Sequence, residues 1–245
     1  MIPRHQTPLP ELTVSQMMEV DRIMIEDYGI TLVQMMENAG YSLSLLAKER
    51  FLLHDLQRSQ VIILAGSGGN GGGALVAARR LANFGVNVQV WLSKPSHEFK
   101  GVPGHQLNIL FRQGVAIIDP PDRPKKSIVN LVIDGLIGYS LKGDPRGLTA
   151  EMITWANHQT ADILALDVPS GYNTTSGVAS ETVVEAIATM TLALPKLGLS
   201  AVTNKPFVGE LYLADISVPP RLYKELGIDL GGYSLFAEKA VVRID

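Results

Sequence analysis

Two aspartates, each directly after a short apolar run, are the residues of this chain best placed to do chemistry. Asp134 follows the run 131–133, and Asp167 follows the run 163–166. In an open parallel sheet, ligands bind outside the carboxyl ends of the strands, so an acid there either faces a crevice or caps the next element. Glycine-containing loops follow both aspartates, which favours a crevice lined by carboxylates.

The loop that follows Asp134 also carries a lysine. Lys142 stands beside Gly143 and Asp144, and most loop lysines are solvated surface charges. If the loop folds over the crevice, the ammonium of Lys142 lies close to Asp167, and each charge changes the proton affinity of the other. The two side chains would then form an acid–base pair.

A glycine-rich segment between a predicted strand and a predicted helix is typical of anion binding. Residues 66–73 read Gly-Ser-Gly-Gly-Asn-Gly-Gly-Gly, and they lie between the apolar run 61–64 and a helical pattern that begins at Leu75. Glycines let consecutive backbone N–H groups turn toward one point, where the helix N-terminus adds partial positive charge. We expect a nucleotide-like ligand there. Tight packing of strand against helix is the alternative reason for the glycines.

The glycine loop differs from the loops of two common nucleotide-binding classes. Gly66, Gly68 and Gly71 satisfy the dinucleotide fingerprint. However, the next predicted strand ends in Ser93 and Lys94, without an acid to hold a ribose diol, which disfavours a hydride-transferring dehydrogenase. No Gly-Lys-Ser/Thr sequence follows the glycines, which excludes a Walker loop.

Composition limits the class of protein. The 245 residues are 46% hydrophobic and 18% charged, with a net charge of -3 and no cysteine. Disulfides and thiolate chemistry are therefore excluded, and no basic surface argues for nucleic acid. The N-terminus lacks the apolar core of a signal peptide, and no apolar run is long enough to cross a bilayer. We expect one cytoplasmic domain, residues 1–245, without nucleic-acid or membrane partners.

Two helices are predicted at about 13–51, before the sheet. Thr13 with Gln16, and Thr31 with Gln34, have the spacing of a capping box. We assign the methionines of these helices to core packing rather than to a ligand.

From residue 61 to about 217, strands and helices alternate, which predicts a mostly parallel, doubly wound α/β sheet. The predicted strands are 61–65, 86–92, 115–118, 131–133, 163–166, 190–194 and 211–213, and the predicted helices between them include 75–84, 105–112, 150–158 and 183–188.

Several motifs occur in a fixed order along the chain: Met35–Gly40, the glycine loop running into Leu75–Leu81, Val132–Gly138, Leu166–Gly171 and Leu194–Leu199. Together they resemble the YjeF N-terminal domain family, whose enzymes are NAD(P)H-hydrate epimerases. The resemblance implies a three-layer α/β/α Rossmann-like fold, commonly dimeric. It also implies interconversion of the R and S forms of hydrated NADH or NADPH (NADHX and NADPHX), so that a stereospecific ATP- or ADP-dependent dehydratase can repair both.

The resemblance also implies the functional residues. Asp167 would handle the proton of the departing and returning oxygen, with Lys142 as its partner or as a second acid–base group. A potassium ion would be held by Asn70, Asp134 and Ser170, all oxygen donors. Substrate contacts would come from two loops and Asp167: Gly69, Asn70, Gly71, Gly72, Gly73, Gly138, Tyr139, Ser140, Leu141, Lys142, Gly143, Asp144 and Asp167.

The glycine loop departs from the family pattern. The family usually reads Asn-Asn-Gly-Gly-Asp-Gly where this chain has Gly69 to Ala74, so one asparagine and the aspartate are missing. A second hypothesis is therefore a catalytically inactive nucleotide-binding or protein-interaction scaffold, a use that the family also includes. The retained Asp167 and Lys142 favour the enzyme, and the altered loop favours the scaffold.

Overall fold

The computed structural model describes residues 2–53, 55–125, 128–232 and 235–245. In chain order, its strands are β1 (Gln60–Ala65), β2 (Asn87–Leu92), β3 (Ala116–Ile118), β4 (Leu131–Gly135), β5 (Asp162–Leu166), β6 (Tyr172–Asn173), β7 (Val178–Ala179), β8 (Ala188–Leu192), β9 (Glu210–Ala214) and β10 (Val241–Arg243). The α-helices are α1 (Val14–Glu26), α2 (Leu32–Arg50), α3 (Gly69–Asn83), α4 (Gly101–Gln113), α5 (Gly147–Asn157), α6 (Lys205–Val208) and α7 (Pro220–Glu225).

The main sheet has the strand order β10-β9-β8-β5-β4-β1-β2-β3. Every pairing in it is parallel except that of β10 with β9. The chain proceeds from β1 outward to β3 and then returns to the other side of β1 to form β4. The direction of winding therefore reverses between β1 and β4, which is where doubly wound sheets bind ligands.

Helices cover both faces of the sheet, which confirms the predicted α/β class. On β1, Ile63 packs with residues of α2, α3 and α4, whereas its neighbours Ile62 and Leu64 pack with residues of α5. The strands are buried on both faces, which explains why they read as continuous apolar runs. The chain thus forms three layers, helix on sheet on helix.

Both predicted capping boxes are present. The backbone N–H of Gln16 donates to the hydroxyl of Thr13, and the side chain of Gln16 accepts from the backbone N–H of Thr13. Thr31 and Gln34 make the same pair of bonds at the start of α2. These bonds satisfy N–H groups that a helix leaves without partners at its start.

The prediction of a helix at 183–188 was wrong. Residues 183–187 are irregular, and Ala188 begins β8. Their backbone groups bond to other segments: the N–H of Val184 donates to the carbonyl of Ser170, and that of Ile187 donates to the carbonyl of Ile163. These tertiary bonds outweigh local helical periodicity in so short a segment.

Helices α2 and α3 pack closely because Gly40 has no side chain. A Cβ atom on Gly40 would overlap the side chain of Val76 and lie 2.5 Å from the carbonyl oxygen of Gly73. An ion pair between Glu37 and Arg79, 2.5 Å long, joins the same two helices. The start of α3, which carries the glycine loop, is thereby fixed against α2.

None of the helices in the ranges given above combines the length and the apolar character that crossing a membrane requires.

We predict that Gly40→Ala lowers the free energy of unfolding by about 1–3 kcal/mol, because the backbone oxygen of Gly73 blocks the added methyl group. Urea denaturation measures the effect. Gly69→Ala is the matched control, since a Cβ there meets no atom within 4 Å. Equal stability of the two variants would contradict the packing described here.

Candidate functional site

The loops after β1 and β4 meet at the switch point of the sheet. The backbone N–H of Gly66 donates to the carbonyl of Gly135 at 3.1 Å. A cavity of about 270 Å³ lies between these loops, the ends of β5 and β8, and helices α1 and α2. Its lining residues are Met17, Asp21, Leu32, Met35, Met36, Ala39, Gly68, Gly69, Asn70, Gly73, Leu136, Ile137, Gly138, Tyr139, Ser140, Leu166, Asp167, Leu192, Lys196 and Ile216.

Asp167 forms a buried ion pair with Lys196 in this cavity. Lys196 Nζ lies 2.5 Å from Asp167 Oδ1, and the lysine side chain has 0% of its surface exposed. Nζ also donates to the carbonyl of Leu192 at 2.7 Å and to Oγ1 of Thr191 at 3.4 Å. All three ammonium hydrogens therefore have acceptors.

The second carboxylate oxygen of Asp167 faces the loop after β4. Asp167 Oδ2 accepts the backbone N–H of Tyr139 at 3.1 Å. Asp167 also has a φ of +66°, a strained conformation for a residue with a side chain, and such strain clusters at functional sites. The carboxylate is thus held from both sides by protein groups.

Gly138 lets the loop approach this carboxylate. A Cβ at Gly138 would lie 2.9 Å from Asp167 Oδ2 and 3.4 Å from the amide of Asn70. Only a residue without a side chain leaves room for both groups. The predicted site residues Asn70, Gly138 and Asp167 are therefore brought together.

A second carboxyl group reaches the cavity from α1. The hydroxyl of Tyr139 donates to Asp21 Oδ2 at 2.6 Å. Burial raises the pKa of Asp21 above its usual value, and the hydrogen bond from Tyr139 opposes part of that rise. Burial, together with the neighbouring Asp21, also raises the pKa of Tyr139. This pair favours the protonated forms of both groups.

Asp134 lies beneath the loop after β4 and is fully buried. It accepts the hydroxyl of Ser170 at 2.7 Å, the backbone N–H of Ser170 at 2.8 Å and that of Leu136 at 3.1 Å. Burial raises its pKa to about 6 despite these bonds. Within the described ranges, no lysine, arginine or histidine forms an ion pair with Asp134.

Asn70 lies in the first turn of α3 and lines the cavity. Its Nδ2 is buried and has no hydrogen-bond partner among the residues described. A ligand in the cavity could supply the hydrogen-bond partner that this buried amide lacks. Asp134 and Ser170 are in direct contact, and Asn70 reaches the same loop through its proximity to Gly138.

The structure does not bring Lys142 to the cavity. Lys142, Gly143 and Asp144 are exposed, and the lining of the cavity stops at Ser140 along this loop. The ammonium beside Asp167 belongs to Lys196 instead. A role of Lys142 in acid–base chemistry stays a prediction, and it requires the loop to move over a bound ligand.

The glycine loop is the start of a helix rather than a separate loop. Helix α3 begins at Gly69, six residues earlier than predicted, because the glycines adopt helical conformation. Of the predicted contact residues, Gly69, Asn70 and Gly73 line the cavity. Gly71 and Gly72 are buried, and a Cβ on Gly72 would meet the sulfur of Met36.

The methionines of α1 and α2 are buried except Met18, whose side chain is exposed, so the prediction of core packing was wrong for that residue. Met17 and Met35 belong to the core, as predicted, and both also line the cavity together with Met36. Thioether side chains adapt their shape to a neighbour, which suits a wall that faces a ligand.

Sequence reasoning missed Lys196 and Asp21 as site residues. Lys196 stands between apolar neighbours shortly after a buried strand, an unusual position for a lysine. Asp21 falls four residues after Met17 and three before Met24, on the apolar face of α1. A charged residue on a buried face is the signal that identifies both.

We predict that Lys196→Met lowers the free energy of unfolding by about 3–5 kcal/mol, because it leaves the buried Asp167 carboxylate without its partner. Lys205→Met, at an exposed lysine, serves as the control and is expected to change stability by less than about 0.5 kcal/mol. Adding Asp167→Asn to Lys196→Met is expected to recover part of the loss. A Lys196→Met variant as stable as the wild type would contradict a buried charge pair.

Comparison with known proteins agrees with the resemblance noted in the sequence. A protein from Dehalogenimonas lykanthroporepellens named NAD(P)H-hydrate epimerase is 42% identical over 89% of this chain and 86% of its own length. A protein from Rhodopirellula baltica with the same name is 30% identical over 90% of this chain and 89% of its own length.

A bifunctional NAD(P)H-hydrate repair enzyme from Salinibacter ruber is 31% identical over 86% of this chain but only 41% of its own length. The crystal structure of the yeast protein YNL200c superposes with a TM-score of 0.82, covering 96% of this chain and all of that one, at 23% identity, which supports the fold. The family described as YjeF-related protein N-terminus matches residues 32–198. The chain therefore belongs to the YjeF-related N-terminal domain family.

Proposed function

We propose that this protein is an NAD(P)H-hydrate epimerase, which interconverts the R and S forms of hydrated NADH and NADPH. The observation that carries the proposal is the carboxylate of Asp167, fixed by Lys196 and facing a largely apolar cavity at the switch point of the sheet. Relatives that align with most of the chain and bear that name support the choice of substrate.

The reaction requires a proton at one oxygen atom of the substrate. The hydroxyl of the hydrate is on a carbon next to the ring nitrogen, and the nitrogen lone pair expels it as water once it is protonated. The planar iminium that results accepts water on either face. An enzyme therefore has to deliver and remove protons beside the ring while limiting access of bulk water.

Asp167 is positioned for this task. Lys196 and Thr191 contact Oδ1, and the N–H of Tyr139 contacts Oδ2. One lone pair of Oδ2 therefore stays available to the oxygen of the substrate. Lys196 has no hydrogen left to give, so it positions Asp167 rather than reacting itself.

The cavity volume of about 270 Å³ lies just below the usual range of ligand sites, about 300–1,000 Å³. We therefore assign it to one part of the substrate, the hydrated nicotinamide ring. The diphosphate would lie against the N-terminus of α3 at Gly69 and Asn70, where backbone N–H groups and the helix dipole favour an anion. The adenosine end would then lie outside the cavity.

A potassium ion would be held by Asn70, Asp134 and Ser170. The residues fit such an ion, because Asp134 is a buried carboxylate with no cationic partner in the part of the chain that the structure describes, and the donors are all oxygens. No group of three His, Cys, Asp or Glu side chains in the described ranges suits a transition metal. When bound, the ion would supply positive charge beneath the loop that carries Tyr139.

A separate dehydratase would consume one epimer of the product. Relatives named bifunctional repair enzymes extend well beyond the region that this chain matches. Epimerisation has a use only where the next reaction accepts a single epimer, so we infer a stereospecific, ATP- or ADP-dependent dehydratase as the functional partner.

We predict that the wild-type protein accelerates conversion of one purified NADHX epimer to the other, and that Asp167→Asn lowers the rate at least about 100-fold. Chromatographic separation of the two epimers over time measures both rates. Asp162→Asn, at an exposed aspartate at the start of β5, is the control and should keep the wild-type rate. A wild-type rate equal to the spontaneous one would reject the enzyme and leave the scaffold hypothesis.

We predict that potassium chloride raises the thermal unfolding midpoint by a few degrees more than sodium chloride at the same concentration. Binding to the folded state alone stabilises by about 2.7 kcal/mol at 100 times the dissociation constant. Asp134→Asn should abolish the difference between the salts, whereas Asp162→Asn should preserve it. Equal midpoints in both salts for the wild type would contradict a potassium site.

A further inference from the structure

The cavity contains a second carboxyl group that the family resemblance does not assign. Asp21 reaches it from α1, whereas Asp167 reaches it from the end of β5. The helices α1 and α2 form one wall of the cavity, and the carboxyl edge of the sheet forms the other. A planar ring held between these walls would have one carboxyl group toward each of its faces.

Tyr139 links the two carboxyl groups. Its backbone N–H donates to Asp167 Oδ2 at 3.1 Å, and its hydroxyl donates to Asp21 Oδ2 at 2.6 Å. The carboxyl groups are therefore no farther apart than the length of a tyrosine plus two hydrogen bonds, and both line the same cavity.

Asp21 has an oxygen atom available for a ligand. Tyr139 is the only hydrogen-bond partner that Asp21 has among the residues described, so Oδ1 is not engaged. The charged and titratable groups that face Asp21 are Tyr139, Lys196 and Asp167. The cation Lys196 is bonded to Asp167 and not to Asp21.

The two carboxyl groups have different surroundings. Asp167 accepts a hydrogen bond from the ammonium of Lys196. Asp21 has no such cationic partner among the residues described, and burial raises its pKa above the usual value. The cavity therefore holds one carboxyl group paired with a cation and one that burial favours in its protonated form, which suits a proton acceptor and a proton donor on the two faces of the ring.

We propose that Asp21 is a second catalytic acid–base residue, and that epimerisation uses Asp21 on one face of the ring and Asp167 on the other. This inference rests on the proposed function. Asp21 protonates the hydroxyl on its face, the carbon–oxygen bond breaks, and water leaves with formation of the iminium. Water then adds to the same carbon from the opposite face and gives its proton to Asp167.

The reverse direction exchanges the two roles. Each turnover leaves Asp21 ionised and Asp167 protonated, or the reverse, and proton exchange with solvent restores the starting state. Atoms and charges balance without any further reactant. Tyr139 positions Asp21, and Lys196 positions Asp167.

The test is incorporation of ¹⁸O from labelled water into each purified NADHX epimer, measured beside epimerisation. In Asp21→Asn only the carboxyl group of Asp167 remains, so the rate of epimerisation should fall at least about 100-fold. It should still exchange the hydroxyl oxygen of one epimer with retention of configuration, and lose exchange with the other epimer. Asp167→Asn should show the opposite preference. The Asp21→Asn substitution keeps an acceptor for the hydroxyl of Tyr139, which favours normal folding.

The outcomes separate this inference from the proposed function. Absence of epimerisation by the wild type would reject the function itself. Two results with an active wild type would overturn the catalytic role of Asp21. In the first, Asp21→Asn lowers the rates of exchange and epimerisation equally for both epimers. In the second, it lowers neither rate. Asp27→Asn, at the exposed C-terminal end of α1, is the matched control and should behave as the wild type.

A second variant keeps the inference testable if Asp21→Asn does not fold. Tyr139→Phe removes the hydrogen bond that lowers the pKa of Asp21, so the pKa of Asp21 rises further. The loss of activity that accompanies ionisation of Asp21 as the pH rises should then begin at a higher pH than in the wild type. An active Tyr139→Phe variant that loses activity at the same pH as the wild type would overturn the assignment.

Discussion

The ion pair between Asp167 and Lys196 is the interaction on which the rest of the site depends. Removing two charges from water costs several kcal/mol for each, and their attraction offsets that cost only with good geometry and further hydrogen bonds. Here Thr191 and the carbonyl of Leu192, both in β8, accept from Lys196. The backbone N–H of Tyr139, in the loop after β4, donates to Asp167. The pair therefore fixes the ends of β4, β5 and β8 relative to one another.

The N-terminal helices complete the cavity. Helix α1 contributes Met17 and Asp21, and α2 contributes Met35 and Met36. The methionine side chains make this wall largely apolar, and electrostatic interactions are stronger in surroundings of low polarity. Gly40 brings α2 close enough to α3 for this wall to stand beside the glycine loop. The two helices that precede the sheet are thus part of the site.

The altered glycine loop leaves the charged groups of the cavity in place. Where the family pattern has an aspartate, this chain has Gly73, and a Cβ there would lie 3.1 Å from the side chain of Leu166. The position faces apolar surroundings, so its loss makes the cavity less polar without breaking a contact of Asp167. The carboxyl groups and the ammonium of the cavity are supplied by Asp21, Asp167 and Lys196 instead.

The sequence by itself determined the fold class, the two N-terminal helices and most strands of the main sheet. The capping boxes at Thr13 and Thr31 are bonds between residues three apart, so the local sequence predicts them. Strands buried on both faces must be apolar, so an apolar run predicts them. The place of Asp134 and Asp167 at strand ends also follows from those patterns, because parallel strands end at one edge. The segment 183–188 was misread, because its backbone bonds go to distant segments that no local pattern reports.

Only the tertiary structure decided which side chains share the cavity. The sequence offered Lys142 as the partner of Asp167, because both stand in loops near strand ends. The structure places Lys196 there and brings Asp21 from a helix that is distant along the chain. Pairing between distant residues depends on strand order and helix packing, and neither is encoded in the spacing of residues along one segment.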